Sequence, residues 1–104
     1  MSPKPDVDTD PVQFATVRLP KHVVYRAFVF ETVVLNLDTG KYHGLNPVAG
    51  RTLELLDRTG NLEETAVRLA AEYKRPKHEI EADLREFCSD LSKRGLIELI
   101  DEPG

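Results

Sequence analysis

Side chains able to do covalent or metal chemistry are few in this chain of 104 residues: one cysteine, Cys88, and three histidines, His22, His43 and His78. Cys88 falls in the series Ile80, Leu84, Phe87, Cys88, Leu91, whose spacing makes one apolar stripe along a helix. A thiol placed there packs as a small hydrophobe, and its pKa rises rather than falls. The histidines scatter over two expected strands and a turn, and no Cys/His spacing matches a zinc site. Nucleophilic catalysis needs a base beside the nucleophile, and metal catalysis needs convergent ligands. The sequence offers neither, so no enzyme, no metal and no cofactor is expected. The many carboxylates read as exposed helix faces rather than as an acid–base pair.

What remains is the chemistry of the backbone. Lys41 to Leu45 reads as a short strand leading straight into a helix. If that strand lies at a sheet edge, its N–H and C=O groups lack partners on one side, and an extended peptide can supply them. Gly44, having no Cβ, either lets another backbone approach closely or marks a bend before the helix. A proline at His43 is expected to block such docking if that N–H points to the peptide.

The elements that must position this strand follow from periodicity. From Phe14 to Leu45 the residues suit a pleated surface, with Pro20 separating a possible first extended piece from the rest. Thr32 to Leu37 is the clearest strand, Asp38-Thr39-Gly40 supplies a type I turn with a positive-φ glycine, and Lys41 starts the return. A further strand is expected within His22 to Phe28, although Val29-Phe30-Glu31 carries no Gly, Pro or Asn to mark a turn. Beyond Leu45 the period becomes helical. Asn46 caps, Pro47 opens and Gly60 closes a first helix. Asn61 with Glu64 resembles a capping box for a second, which ends near Lys74 before Pro76. A third runs from about Lys77 to Arg94 and stops at Gly95, where a Schellman motif would bring Leu96 back onto Leu91. The expected fold is α+β: a three-stranded antiparallel sheet followed by three helices, in a winged helix-turn-helix arrangement.

Composition bounds the function. With 14 Lys+Arg against 18 Asp+Glu the formal net charge is −4, which excludes a strongly basic polyanion binder. At 40% hydrophobic and 31% charged residues one globular domain is expected, over residues 14–100. Residues 1–11, rich in Pro and Asp, read as a disordered tail. No apolar run has the length of a membrane span, no signal core opens the chain, and the lone cysteine fits a reducing compartment, so a cytoplasmic protein is expected. The alternative suggested by a winged helix is a DNA-binding regulator. Against it, the third helix carries Glu79, Glu81, Asp83, Glu86 and Asp90, which would meet phosphates with like charge.

The stretch Thr32-Val33-Val34-Leu35-Asn36-Leu37-Asp38-Thr39-Gly40-Lys41-Tyr42-His43-Gly44-Leu45-Asn46-Pro47-Val48-Ala49-Gly50 resembles the PqqD-like family of peptide-recognition domains, also known as RiPP recognition elements. Within that family it is most similar to the small stand-alone proteins of lasso-peptide biosynthesis. Glu72-Tyr73 at the end of the second helix, and Asp83-Leu84, Phe87-Cys88, Leu91 and Arg94-Gly95-Leu96 on and after the third, complete the pattern over roughly residues 19–99. Leu53 stands where relatives often carry a large aromatic and Cys88 where they carry an aliphatic residue; both keep an apolar group. The resemblance implies a non-catalytic module that captures the leader of a ribosomal precursor peptide and presents it to a leader peptidase and a cyclase, with no nucleic acid or membrane involved. It further implies that the leader adds as a strand beside Lys41, Tyr42, His43, Gly44 and Leu45, facing Ile80, Asp83, Leu84 and Phe87 of the third helix. Ile80, Leu84 and Phe87 also have core spacing, so Asp83, which a core does not need, is the better discriminator of a site.

Overall fold

Burial alternates along residues 32–36: Thr32, Val34 and Asn36 are buried, while Val33 and Leu35 are half-buried. This period of two puts one side of a strand against the interior. The computed structural model describes residues 15–101. Its elements are β1 (Ala15–Arg18), β2 (Val23–Ala27), β3 (Thr32–Asn36), β4 (Tyr42–Leu45), α1 (Pro47–Thr59), α2 (Leu62–Tyr73), α3 (Lys77–Lys93) and β5 (Glu98–Asp101). The tail expected over residues 1–11 lies outside the described residues. The α+β architecture is as expected, an antiparallel sheet in the order β2-β3-β4 followed by three helices.

A second sheet was not foreseen. The possible extended piece before Pro20 is β1, and it pairs antiparallel with β5, from Ala15 opposite Asp101 to Arg18 opposite Glu98. The Arg18 guanidinium meets Glu98 across this pair at 2.7 Å. Val17 also donates its N–H to the Gly60 carbonyl, so this ribbon lies against the α1–α2 turn.

The two hairpins of the main sheet close differently. Between β3 and β4, the buried Asn36 side chain accepts from the N–H groups of Asp38 and Thr39, and Gly40, at φ 76°, donates its N–H to the Asn36 carbonyl. A buried amide is thereby satisfied by the turn it organises. Between β2 and β3, Phe28 donates its N–H to the Glu31 carbonyl at 2.7 Å, leaving Val29 and Phe30 as a two-residue loop. Neither has positive φ, so the turn needs no Gly or Asn and leaves no mark in the sequence.

The helix ends follow their residues. Asn46 accepts from the Ala49 N–H at 2.8 Å with Pro47 in the first turn of α1, and Gly60 at φ 65° closes it. Asn61 accepts from the Glu64 N–H, but the capping box is only half made: the Asn61 N–H goes to Thr59 and the Glu64 carboxylate to Arg68. After α3 the Schellman motif is complete, with Leu96 donating to the Leu91 carbonyl and Gly95, at φ 74°, donating to that of Ser92.

Leu53, Leu55, Leu56, Leu84, Cys88 and Leu91 are buried between the helices and sheet, each full burial contributing about 1.5 to 3 kcal/mol. One glycine sets how closely α1 meets β3. A Cβ on the buried Gly50 would fall 2.1 Å from Thr32 Oγ1 and 2.7 Å from Thr32 Cβ. Because Thr32 pairs with Leu45, this contact also fixes where β4 enters α1.

Candidate functional site

β4 pairs with β3 and with no other strand among the described residues, so it is an edge. Antiparallel partners alternate between those that bond each other and those that do not. The bond from the Asn36 N–H to the Lys41 carbonyl sets the phase, and the register then assigns Val34–His43 and Thr32–Leu45 to bonded pairs. The five residues expected to pair with a peptide therefore divide. Lys41, His43 and Leu45 turn their backbone groups toward β3, whereas Tyr42 and Gly44 direct both N–H and C=O to the open edge. The condition attached to a proline at His43 is not met: that N–H belongs to the β3 ladder.

Gly44 has a further reason to lack a side chain. The Glu31 carboxylate lies over it, with Oε1 2.8 Å from the place a Cβ would take.

Beside this edge opens a cleft of about 470 Å³ between α1, α2 and α3, within the range of about 300 to 1,000 Å³ usual for ligand sites. Ile80, Leu84 and Phe87 form one wall, Val48, Ala49 and Thr52 the second, and Leu69 and Tyr73 the third. Ile80 and Leu84 are buried and Phe87 half-buried, so these residues hold α3 in place and also present apolar surface to the cleft. None of Lys41 to Leu45 lines it; the residue of the β4–α1 junction that does so is Asn46. Val48, Tyr73 and Arg75 belong to the cleft although sequence reasoning did not place them in a site. Val48, an apolar residue left 54% exposed in the first turn of α1, is the signal that periodicity alone passes over.

Charge gathers at the mouth. Asp83 is exposed and sits 3.4 Å from the Arg75 guanidinium, which also donates to Glu79 at 3.1 Å. The bond to Glu79 and the nearby Asp83 charge raise the Arg75 pKa, partly offset by desolvation. From Asp83 and Phe87 a shallower concavity continues along α3 past Asp90 to Lys93. At that end Arg94 reaches His43 Nδ1 at 3.4 Å, tying the end of α3 to the edge strand. Cys88 takes no part: it is fully buried, and desolvation pushes its thiol up to about 12.

A family model described as Coenzyme PQQ synthesis protein D (PqqD) matches residues 31–97, the span that contains the edge, the cleft and all three helices. The chain belongs to the PqqD family. Among solved structures it is similar to one described as TbiB1 in complex with the TbiA(beta) leader peptide, at 34% identity and a TM-score of 0.73, covering 78% of this chain and 94% of that one. A second, described as lasso peptide synthetase B1 complexed with the leader peptide, shares the fold at 23% identity and a TM-score of 0.72, covering 81% of this chain and 99% of that one. No curated protein matches. Among the described residues, no helix is long and apolar enough to cross a membrane.

Proposed function

We propose that this PqqD-family chain is a non-catalytic adaptor that captures the leader segment of a ribosomal precursor peptide by strand addition along β4. In this reading it acts in the cytoplasm, in lasso-peptide biosynthesis, and presents the bound precursor to a leader peptidase and a cyclase. The observation that carries it is the open edge at Tyr42 and Gly44 beside an apolar cleft; the likeness to two chains described in complex with leader peptides supports it. The leader's backbone meets the two outward residues, and Ile80, Leu84 and Phe87 receive its apolar side chains, with Asp83 at the rim.

Magnitudes are adequate. Two outward residues offer two donors and two acceptors, and four bonds at about 0.5 to 1.5 kcal/mol each with two apolar side chains at about 1.5 to 3 kcal/mol each give about 5 to 12 kcal/mol gross. Ordering the peptide subtracts about 2 to 5 kcal/mol, so the upper end of this range leaves about 7 to 10 kcal/mol, a dissociation constant of about ten micromolar to tens of nanomolar. The backbone bonds read no sequence, so selectivity resides in the cleft.

The test is titration of a synthetic leader, encoded beside this gene, into the isotopically labelled chain. Amide shifts should concentrate in Tyr42 to Leu45 and on α3 between Ile80 and Phe87. Shifts confined to other surfaces would overturn the site.

A further inference from the structure

The side of the β2-β3-β4 sheet that faces away from the helices is apolar and uncovered among the described residues. Thr32, Val34 and Asn36 point inward, so Val33 and Leu35 point outward. The register sets Val24 and Tyr42 on either side of Leu35, and Arg26 and Gly44 on either side of Val33. Phe28 continues the β2 row. Phe28 is 57% exposed, Phe30 85% and Tyr42 73%. At roughly 200 Å² per aromatic side chain, Phe28 and Tyr42 leave about 250 Å² of apolar surface on this face, and the exposed Phe30 of the adjoining β2–β3 loop adds to it, which approaches the largest patch on a typical monomer. Val24, Val29 and Leu37, also exposed, extend it toward the roughly 800 Å² per partner of a stable interface.

Two charges on this face lack partners. Arg18, Arg51, Arg58, Arg68, Arg75 and Arg94 each meet a carboxylate, whereas Arg26 makes no ion pair among the described residues. Glu31 makes none either, and its carboxylate lies over the bare backbone of Gly44. The diagonal neighbours on this face are opposite in charge, yet they are not joined within the chain.

We infer that the occupant of this face is a second copy of the chain, related by a two-fold axis parallel to β3, with the two sheets packed face to face about 10 Å apart. Such an axis keeps each cross-strand row and exchanges β2 with β4. Val33 and Leu35 meet their own counterparts, and Val24 meets Tyr42 of the second copy. Arg26 falls over Gly44 of the second copy, where the Glu31 carboxylate that covers the glycine receives it. The contact is isologous, so each ion pair forms twice. The outer edge of β4 stays open in this dimer, so the inference goes beyond the adaptor reading and stands or falls separately from it.

Sedimentation velocity on the full chain without peptide, from micromolar to submillimolar concentration, should show a reversible dimer. Arg26→Glu sets like charges together and should weaken association at least about tenfold, and adding Glu31→Arg to it should restore the dimer. Leu35→Asp should leave a monomer with unchanged circular dichroism and melting. A chain that stays monomeric throughout, a dimer indifferent to Leu35→Asp, or a double reversal that fails to restore association would overturn the inference. Leader titration of the Leu35→Asp monomer reads the other proposal: loss of peptide binding by wild type and monomer alike would refute the adaptor and leave the dimer result intact.

Discussion

Replacing Gly44 by proline and replacing His43 by proline should have opposite consequences, although the two residues are neighbours. At Gly44 the ring removes a donor that points away from the protein, a position where an edge strand accepts proline. The new Cβ meets the end of the Glu31 side chain, 2.8 Å away as placed, and that flexible group can swing aside. The fold therefore survives, but a leader carbonyl docked there loses its partner. Leaving such a group unsatisfied costs about 1 to 3 kcal/mol, which corresponds to about fivefold to a hundredfold in affinity. At His43 the ring instead removes a bond to Val34, which lies on the buried face of the central strand. That change should lower the melting temperature and, with it, the amount of folded chain. Fluorescence anisotropy with a labelled leader, paired with thermal melts, separates the two. A Gly44→Pro variant that melts like wild type and binds leader with undiminished affinity would refute strand addition at this edge.

Four further outcomes follow from the geometry. Asp83→Ala should weaken leader binding without changing the melting temperature, because the carboxylate is exposed at the cleft mouth and supports no core contact; unchanged affinity removes Asp83 from the site. Gly50→Ala should lower the melting temperature, since overpacking against Thr32 costs about 1 to 3 kcal/mol and alanine's helix propensity returns at most about 1 kcal/mol; calorimetry decides. Lys74→Gly should raise it by about 2 to 8 °C, because Lys74 closes α2 at φ 54°, a conformation that costs a side-chain-bearing residue about 1 to 2 kcal/mol, of which the entropy glycine loses on folding takes back about 0.5 to 1 kcal/mol. Stability should fall as pH rises above about 9: burial pushes the Cys88 thiol up to about 12, and burial with the Asp57 bond pushes the Tyr25 hydroxyl up to about 12. The unfolded chain loses these protons first, so alkali favours it, and urea titrations at successive pH values should show the decline.

The local elements were legible because each is announced by residues with one physical use. Asn46-Pro47, Asn61 and Gly95-Leu96 mark helix ends whose bonds form as expected, and the alternation of residues 32–36 already separates an inner from an outer face. What escaped was non-local. Nothing in Leu99 or Ile100 says that a strand will pair with Thr16 and Val17, since an apolar run after a helix is equally at home in a core. The turn at Val29 and Phe30 carries no signal because its backbone needs none. In the candidate site, the stripe Ile80, Leu84, Phe87 was visible but the opposite walls were not, for Val48, Leu69 and Tyr73 come together only when α1 and α2 pack. The phase of the β4 ladder was likewise hidden: it depends on which residue closes the Asn36 turn, and that choice decides whether His43 or Gly44 faces outward.

The unforeseen β1–β5 ribbon explains how such a short chain can leave an edge open. A strand that supplies peptide-binding groups cannot also use them to hold the fold, so closure must come from elsewhere. Here the two ends of the described chain pair with each other against the α1–α2 turn, through Val17 and Gly60, while β4 is anchored from its inward side by the ladder to β3 and by the Thr32–Gly50 approach. None of these contacts uses the outward groups of Tyr42 or Gly44. Filling the edge therefore adds bonds without breaking any, and a peptide that binds only the folded chain stabilises it by mass action. The melting temperature should accordingly rise with leader concentration in wild type, and rise less in Gly44→Pro; equal shifts in the two would mean that the peptide is held by the cleft alone.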